Sequence, residues 1–293
     1  MAIHRNILWN GEIREASRAC LVPGQVGLLS GWGIFSTLRI KDKLLFAFER
    51  HWARMSRDAA LMNVPMPASA DGLERDLLRL VEANEVENGT LRVVVVRNGH
   101  SFWEGPSTGF ESDVIALTAH AKNWSTSVRL GIQPAGRYAA SDFTRAKILS
   151  WSENLRWAER AQEQGFDEVI LLNEHGRVAE CTSANIFAVA GDRVLTPPLS
   201  DGCLPGITRE VLLEAIHLPG ITVTEQGLRL EDLYDATEVF ISSSTRDLLP
   251  VSEISGRKLN QSGDVRERLT AAYRQFVSED ISRRRTPALA LSV

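Results

Sequence analysis

Beyond residue 127 the chain carries only two lysines, Lys147 and Lys258. Lys258 sits in Ile254-Ser255-Gly256-Arg257-Lys258-Leu259-Asn260, a turn-like stretch with polar neighbours. Lys147 adjoins Ile148, Leu149 and Trp151. Burial among apolar groups lowers an amine's pKa and favours its neutral, reactive form. Glu180 lies in Val178-Ala179-Glu180-Cys181, a strand-like apolar segment where an acid is costly to bury without a partner. The other reading is an edge-strand glutamate facing water. Gly206-Ile207-Thr208 precedes a helix, where N–H groups without intrahelical partners attract an anion. Thr208 also reads as a plain N-cap.

Other chemistries lack their residues. Gly31-Trp32-Gly33-Ile34-Phe35-Ser36 starts like a dinucleotide-binding turn but has no third glycine and no clear following helix. There is no phosphate-binding GxxxxGK[ST] loop and no HExxH. The six histidines never stand at metal-ligand spacing with the cysteines, which argues against a structural zinc. With 33 Lys+Arg against 37 Asp+Glu the net charge is −4, which does not favour nucleic acid as a partner. No apolar run approaches the roughly 20 residues that span a bilayer. The first residues lack the apolar core of a signal peptide. Three cysteines, Cys20, Cys181 and Cys203, form no CxxC pair and fit a reducing cytoplasm.

The 293 residues, 44% hydrophobic and 24% charged, suffice for two domains. Ile7-Leu8-Trp9 before Asn10-Gly11 predicts a hairpin, and Thr37–Ile40 with Leu44–Phe48 predicts another. Helices are predicted over Glu49–Leu61, with Trp52, Met55, Ala59 and Met62 on one face, and over Asp71–Ala83. Strands follow at Leu91–Val96 and Val114–Thr118. The polar stretch 119–127 reads as a linker between a domain over 1–118 and one over 128–293. In the second part, Ser141-Asp142 can cap a helix whose apolar positions are Ile148, Trp151, Leu155 and Ala158, ending at Gly165. Further strands are predicted at Val169–Leu172, Val178–Cys181, Ile186–Val189, Val194-Leu195 and Glu238–Ile241, and a helix through Leu213 to Ile216. The tail from Ser282 to Val293 reads as loosely held. Strands and helices interleave irregularly, which predicts an α+β fold rather than a doubly wound parallel sheet.

The stretch from Lys147 to Thr208 carries a resemblance. Gly165-Phe166-Asp167-Glu168-Val169-Ile170-Leu171-Leu172-Asn173, Gly176-Arg177-Val178-Ala179-Glu180 followed by Ala184-Asn185-Ile186-Phe187, and Thr196-Pro197-Pro198-Leu199 running to Leu204-Pro205-Gly206-Ile207-Thr208-Arg209 occur in order. The chain resembles the class IV aminotransferases, the fold-type IV pyridoxal-phosphate enzymes, over Gly31 to Gly256. Branched-chain aminotransferases, D-amino acid aminotransferases and aminodeoxychorismate lyases belong to that family. The resemblance implies a two-domain α+β fold with pyridoxal 5'-phosphate between the domains. It implies that Lys147 holds the cofactor aldehyde as a Schiff base and shuttles a proton. Glu180 then keeps the ring nitrogen protonated. Arg54 of His51-Trp52-Ala53-Arg54 matches the family's HxxR phosphate arginine, which stays charged and bonds in a bidentate way. Its alternative is a solvated helix face. Ile207 and Thr208 would add backbone and hydroxyl donors to the phosphate, and Ser244 a further hydroxyl, although serines after a strand often form only a turn. Phe35, Arg39 and Trp151 resemble positions around the substrate, and Phe35 and Trp151 read equally as packing aromatics. Arg97 and Arg137 are candidates for a substrate carboxylate.

The resemblance implies an aminotransferase moving an amino group between an amino acid, branched-chain-like or D, and a 2-oxo acid, in a cytoplasmic homodimer. The alternative is an aminodeoxychorismate lyase releasing pyruvate, and a third reading is a non-catalytic binder of a phosphate ligand. Gly33–Arg39, Trp151 four residues after Lys147, and Glu180–Asn185 lean to the lyases. Thr196–Leu199 and Leu204–Arg209 look like the branched-chain enzymes. Arg97-Asn98-Gly99-His100-Ser101-Phe102-Trp103 lacks the lyases' glycine-rich RG segment, and the D-amino acid enzymes' Arg-His pair is missing. Arg145 fits none of the three.

Overall fold

Asn10 and Gly11 turn the chain with φ of 49° and 79°, both in the left-handed region that a two-residue hairpin loop requires. They join β1 (Ile3–Trp9) to β2 (Glu12–Glu15), with Trp9 opposite Glu12. Asp42 and Lys43, at 50° and 65°, do the same between β3 (Gly33–Lys41) and β4 (Leu44–Leu45). The molecule is described here from a computed structural model, over residues 2–19, 26–100, 109–260 and 262–290. Cys20 and Ser101-Phe102-Trp103 lie outside those residues.

The chain divides into two compact units. The first comprises Met1–Lys122, Ala146–Trp151 and Val277–Val293, and the second Asn123–Arg145 and Ser152–Phe276. In the first, β5 (Gly89–Arg97) and β6 (Ser112–His120) complete an antiparallel sheet of order β2-β1-β6-β5-β3-β4. After a short α1 (Val26–Ser30), α2 (Phe48–Met62) and α3 (Ala70–Ala83) carry the predicted apolar faces. Met55 and Ala59, then Leu73, Leu77 and Leu80, pack with Ile34, Leu38, Leu91, Val93 and Val95 of the sheet.

The second unit has a nine-stranded mixed sheet. Its strands are β7 (Val128–Gln133), β8 (Glu168–Leu172), β9 (Val178–Cys181), β10 (Asn185–Ala190), β11 (Arg193–Thr196), β12 (Thr222–Glu225), β13 (Glu238–Ser243), β14 (Asp247–Ile254) and β15 (Arg257–Lys258). The order is β12-β11-β10-β13-β14-β7-β8-β9, with β15 on β14. The helices are α4 (Ser152–Glu163), α5 (Ile207–Glu214), α6 (Leu230–Asp235) and the part of α7 (Val265–Ala290) up to Phe276, the rest of α7 belonging to the first unit. Every residue of β8 is buried, including Glu168. The α+β reading holds.

Three local expectations need correction. The helix predicted through Ile148 and Trp151 begins only at Ser152. Ahead of it, Ile148 bridges Ile34 of β3 in antiparallel fashion, so backbone pairing overrides the apolar spacing. Leu155, assigned to the buried face, is 57% exposed. The segment with Lys147 therefore groups with the first unit, although the sequence suggested the domain over 128–293. The tail is not loose up to Ala290, because α7 runs through it and Ile281 is buried. Arg284, on that helix, meets Asp280, Glu49 and Glu74. Asp280 also accepts from the Ala47 N–H at 3.0 Å, so a carboxylate from α7 serves the start of α2, whose own cap residue has none to offer.

Candidate active site

Lys147 is fixed through its backbone. Its N–H donates to Asp58 Oδ2 at 3.0 Å, and its carbonyl accepts from Phe35 N at 2.9 Å. Leu149 N donates to the Gly33 carbonyl at 2.9 Å. This added strip explains the Gly31 and Gly33 pair. A Cβ on Gly33 would stand 2.5 Å from the Val95 carbonyl oxygen and 2.6 Å from the Leu149 side chain. Gly31 has φ of +65°, and a Cβ there would meet Ser150 Oγ at 2.7 Å. The glycines let a strand approach, not a dinucleotide.

The half-buried Lys147 side chain brings its Nζ to 4.6 Å from the Phe35 ring centre and 6.0 Å from the Trp151 ring. Phe35 and Trp151 meet edge to face at 5.9 Å. Both predicted aromatics therefore border the predicted amine. A residue that the sequence reading did not single out joins them. The Arg92 guanidinium lies 4.0 Å from the Phe35 ring centre and 6.0 Å from that of Trp151. Phe35 pairs with Val94 across the sheet, so Arg92, two residues back, sits diagonally on the same face. Burial pulls the Arg92 pKa down, and no carboxylate or hydrogen-bond acceptor engages it among the described residues. Its signal was a charge inside the valine-rich run Leu91–Val96. Arg97 is used differently. Its guanidinium donates to the carbonyls of Asn63 and Gly99 and stands over Trp32 at 4.5 Å. Arg39 is half-buried on β3, and its carbonyl accepts from Phe46 N.

On the opposite side of β3 from Phe35, Ser36 points at α2. Arg54 Nη2 donates to Ser36 Oγ at 2.8 Å. Ser36 Oγ is also 2.8 Å from His51 Nδ1, so its hydroxyl proton is directed there. Arg54 is 6% exposed and His51 fully buried, which removes the solvated-helix reading of Arg54. His51 Nε2 is buried without a hydrogen-bond partner. Burial first, then the charges of Arg54, Lys147 and Arg284, hold the His51 pKa well below 6.5, so the ring is neutral.

In the second unit Glu180 is buried in β9, opposite Leu171 of β8. It does not face solvent as an edge residue. Arg137 Nη2 lies 3.0 Å and Nε 3.1 Å from Glu180 Oε1, and Leu204 N donates to Oε2 at 3.1 Å. Arg137, a sequence candidate for substrate, thus has an internal acid as its partner. Beside this pair, Glu168 accepts from Thr182, from Ser183 at 2.6 Å and from Arg246 at 3.3 Å. The thiols of Cys181 and Cys203 are buried, and burial raises the Cys203 pKa to about 12. Both act as small packing groups.

Helix α5 begins at Ile207 with Gly206, not Thr208, as its N-cap. Gly206 is extended and its carbonyl receives the Glu210 N–H, while a Cβ there would sit 2.1 Å from Asn185 Oδ1. No side chain caps this end, which suits the N–H groups of Ile207 and Thr208 to an external acceptor. The Thr208 hydroxyl is 3.2 Å from that of Tyr273. Ser244 lies half-buried in the turn between β13 and β14, which Arg246 fastens by donating to the Ser183 carbonyl at 2.9 Å.

A sheet-and-helix unit presenting a lysine strip, with a second unit built around a buried glutamate, is the architecture of one enzyme class. The chain belongs to the class IV aminotransferase family, whose model matches residues 33–254. It is similar to a putative branched-chain-amino-acid aminotransferase of Methanocaldococcus jannaschii, at 28% identity over 92% of this chain and 96% of the relative. It is also similar to a D-alanine aminotransferase of Bacillus licheniformis, at 27% identity over 86% of this chain and 89% of that one. Among solved structures, the branched-chain aminotransferase of Thermoproteus uzoniensis superposes with a TM-score of 0.85. That match has 26% identity over 94% of this chain and 96% of the other. Among the described residues no helix is long and apolar enough to cross a membrane, and no group of metal-ligating side chains gathers.

Proposed function

We propose that the protein uses pyridoxal 5'-phosphate to move an amino group from a branched-chain-like or D amino acid to a 2-oxo acid, and that it does so as a homodimer. The observation that carries this reading is the Lys147 amine, held by three backbone hydrogen bonds around its segment and bordered by Phe35, Trp151 and the unengaged Arg92. The residues fit the cofactor. Lys147 offers an amine for its aldehyde, Glu180 an acid paired with Arg137 for its ring nitrogen, and Arg54 and the uncapped start of α5 each offer donors of the kind a phosphate takes.

When bound, the cofactor supplies an electron-withdrawing ring that weakens the substrate's α C–H bond. Lys147 would hold the cofactor's aldehyde and serve as the group that takes and gives back the substrate's α-proton. The aromatic pair borders this amine on one side. Glu180, bonded to Arg137, would hold a proton at the ring nitrogen. Arg54 donates to a phosphate oxygen, and Ser36 holds Arg54 in place. Ile207 and Thr208 would offer N–H groups to a phosphate, and Ser244 a hydroxyl. Arg92 is suited to a second carboxylate on a dicarboxylic amino acid or 2-oxo acid. Arg39 and Arg97 stand as outlying substrate contacts.

The test is a paired assay of the purified protein with added cofactor. Amino-group transfer from single amino acids to 2-oxoglutarate, with the visible absorption band shifting on amino-acid addition, is the expected result. Pyruvate release from aminodeoxychorismate with no acceptor present would instead establish the lyase. A protein that stays colourless with pyridoxal phosphate would overturn the cofactor assignment. Sedimentation of the holoenzyme as a monomer would overturn the dimer.

A further inference from the structure

Several buried groups fix Arg137 in place. Its own N–H donates to the Leu172 carbonyl at 3.1 Å, which pins the backbone at the end of β8. Its Nη1 donates to Asn154 Oδ1 at 3.1 Å. Asn154, buried on the first turn of α4, donates through Nδ2 to the Thr182 carbonyl at 2.6 Å, two residues beyond Glu180. The remaining two nitrogens converge on one oxygen of Glu180, and the other oxygen takes Leu204 N. The Arg137 side chain is only 14% exposed and that of Glu180 7%, so water does not screen the pair as it would at the surface. A lysine could supply the charge but not the rigid planar fork that meets Glu180 and Asn154 together.

We infer that Arg137, oriented by Asn154, is a positioning residue that fixes the rotamer and the ionised state of Glu180. This rests on the reading of Glu180 as the partner of the cofactor's ring nitrogen. A buried carboxyl that loses a guanidinium partner takes up a proton more readily than one that keeps it. Without Arg137, Glu180 becomes neutral at higher pH and no longer favours a protonated ring. A free carboxylate can also rotate about three side-chain bonds, whereas donors on both oxygens leave it one orientation. Asn154 acts one step further out. It gives Arg137 an acceptor and ties that acceptor to the strand end that carries Glu180.

The experiment compares Arg137→Met, Arg137→Lys, Asn154→Ala and Glu180→Gln as holoenzymes. The readouts are the pH dependence of the cofactor's visible band and the dissociation constant for pyridoxal phosphate. Arg137→Met is expected to introduce a titration step absent from the native band and to weaken cofactor binding about tenfold, the scale of one charge-assisted hydrogen bond. Arg137→Lys should restore part of both, and Asn154→Ala should move both in the same direction by less. Adding Arg137→Met to Glu180→Gln should leave the pH profile of the single Gln variant unchanged, because the arginine acts through the acid. If Glu180→Gln alters the band while Arg137→Met does not, the inference fails and the role of Glu180 stands. If Glu180→Gln itself leaves the band native, both fail. Should Arg137→Met not fold, Arg137→Lys and Asn154→Ala decide by the same criteria, and a native pH profile in both overturns the inference.

Discussion

Around Glu180 the polar groups match one another. Arg137 meets the acid, Asn154 meets Arg137, a backbone N–H takes the other oxygen, and Glu168 nearby is matched by Arg246 and two hydroxyls. Around Arg54 they do not match. Ser36 serves two bases, His51 is forced neutral with Nε2 lacking a partner, and Arg92 stacks on Phe35 with no acid beside it. Unmatched buried polarity is costly, of order 1–3 kcal/mol for each group. Such a cost is characteristic of a site that awaits an anionic ligand, whereas a matched cluster sets the charge and direction of one acid. The region of Arg54 and Lys147 is built to receive charge and the region of Glu180 to hold it.

The largest expected effect lies in the receiving region. Lys147→Ala should lower amino-group transfer by about 10²–10⁴-fold, the usual contribution of a positioned proton-transfer group, and abolish the cofactor's visible band. Retention of the band on spectrophotometry would refute the assignment. Next comes a test of the matched region. Arg246→Met leaves Glu168 buried without its cation and should cost about 3–5 kcal/mol in denaturant unfolding. A loss below 1 kcal/mol would show that the two hydroxyls suffice. Arg54→Ala should cost about 2 kcal/mol of binding, close to thirtyfold, for pyridoxal phosphate in equilibrium dialysis. It should change little for pyridoxal, which has no phosphate, and equal losses for both would sink the role.

A smaller effect follows from His51. Its folded pKa lies well below 6.5, while the unfolded chain protonates near that value. The unfolded state therefore binds more protons in the interval, and stability falls as pH drops through 6.5 towards the depressed value. His51→Gln should flatten that part of the acid limb in thermal melts at graded pH. An unchanged limb would mean that other groups set it. The smallest effect is a control outside both regions. Ser69 caps α3 by accepting from Gly72 N at 3.1 Å, and Ser69→Ala should cost about 1 kcal/mol with cofactor affinity unchanged. A change in affinity would show that the two regions are not insulated from helix stability.

Asn-Gly at a hairpin, alternating apolar strands and helical spacing are local properties, and so the two N-terminal hairpins, α2, α3 and most strands were legible in the chain. The ordered motifs from Gly165 to Arg209 made the enzyme class legible, together with Lys147 and Glu180 as its candidate residues. The apolar spacing after Lys147 misled, since Ile148 and Trp151 answer to a neighbouring strand and not to a helix. Arg92 and the length of α7 were missed for related reasons. Arg92 gains its meaning from Phe35 on another strand, and α7 is secured through Arg284, which meets Glu49 and Glu74 more than 200 residues earlier in the chain.

The sequence by itself determined the α+β class, the family and the chemical types that it offers, because these follow from residue identity and short-range periodicity. Only the tertiary structure decided which cation answers which acid. Arg97 and Arg137 were equivalent candidates in the sequence, yet one bonds to backbone carbonyls and the other to Glu180. Charge pairing depends on distances of about 3 Å between residues far apart in the chain. Those distances exist only after the strands have chosen their neighbours.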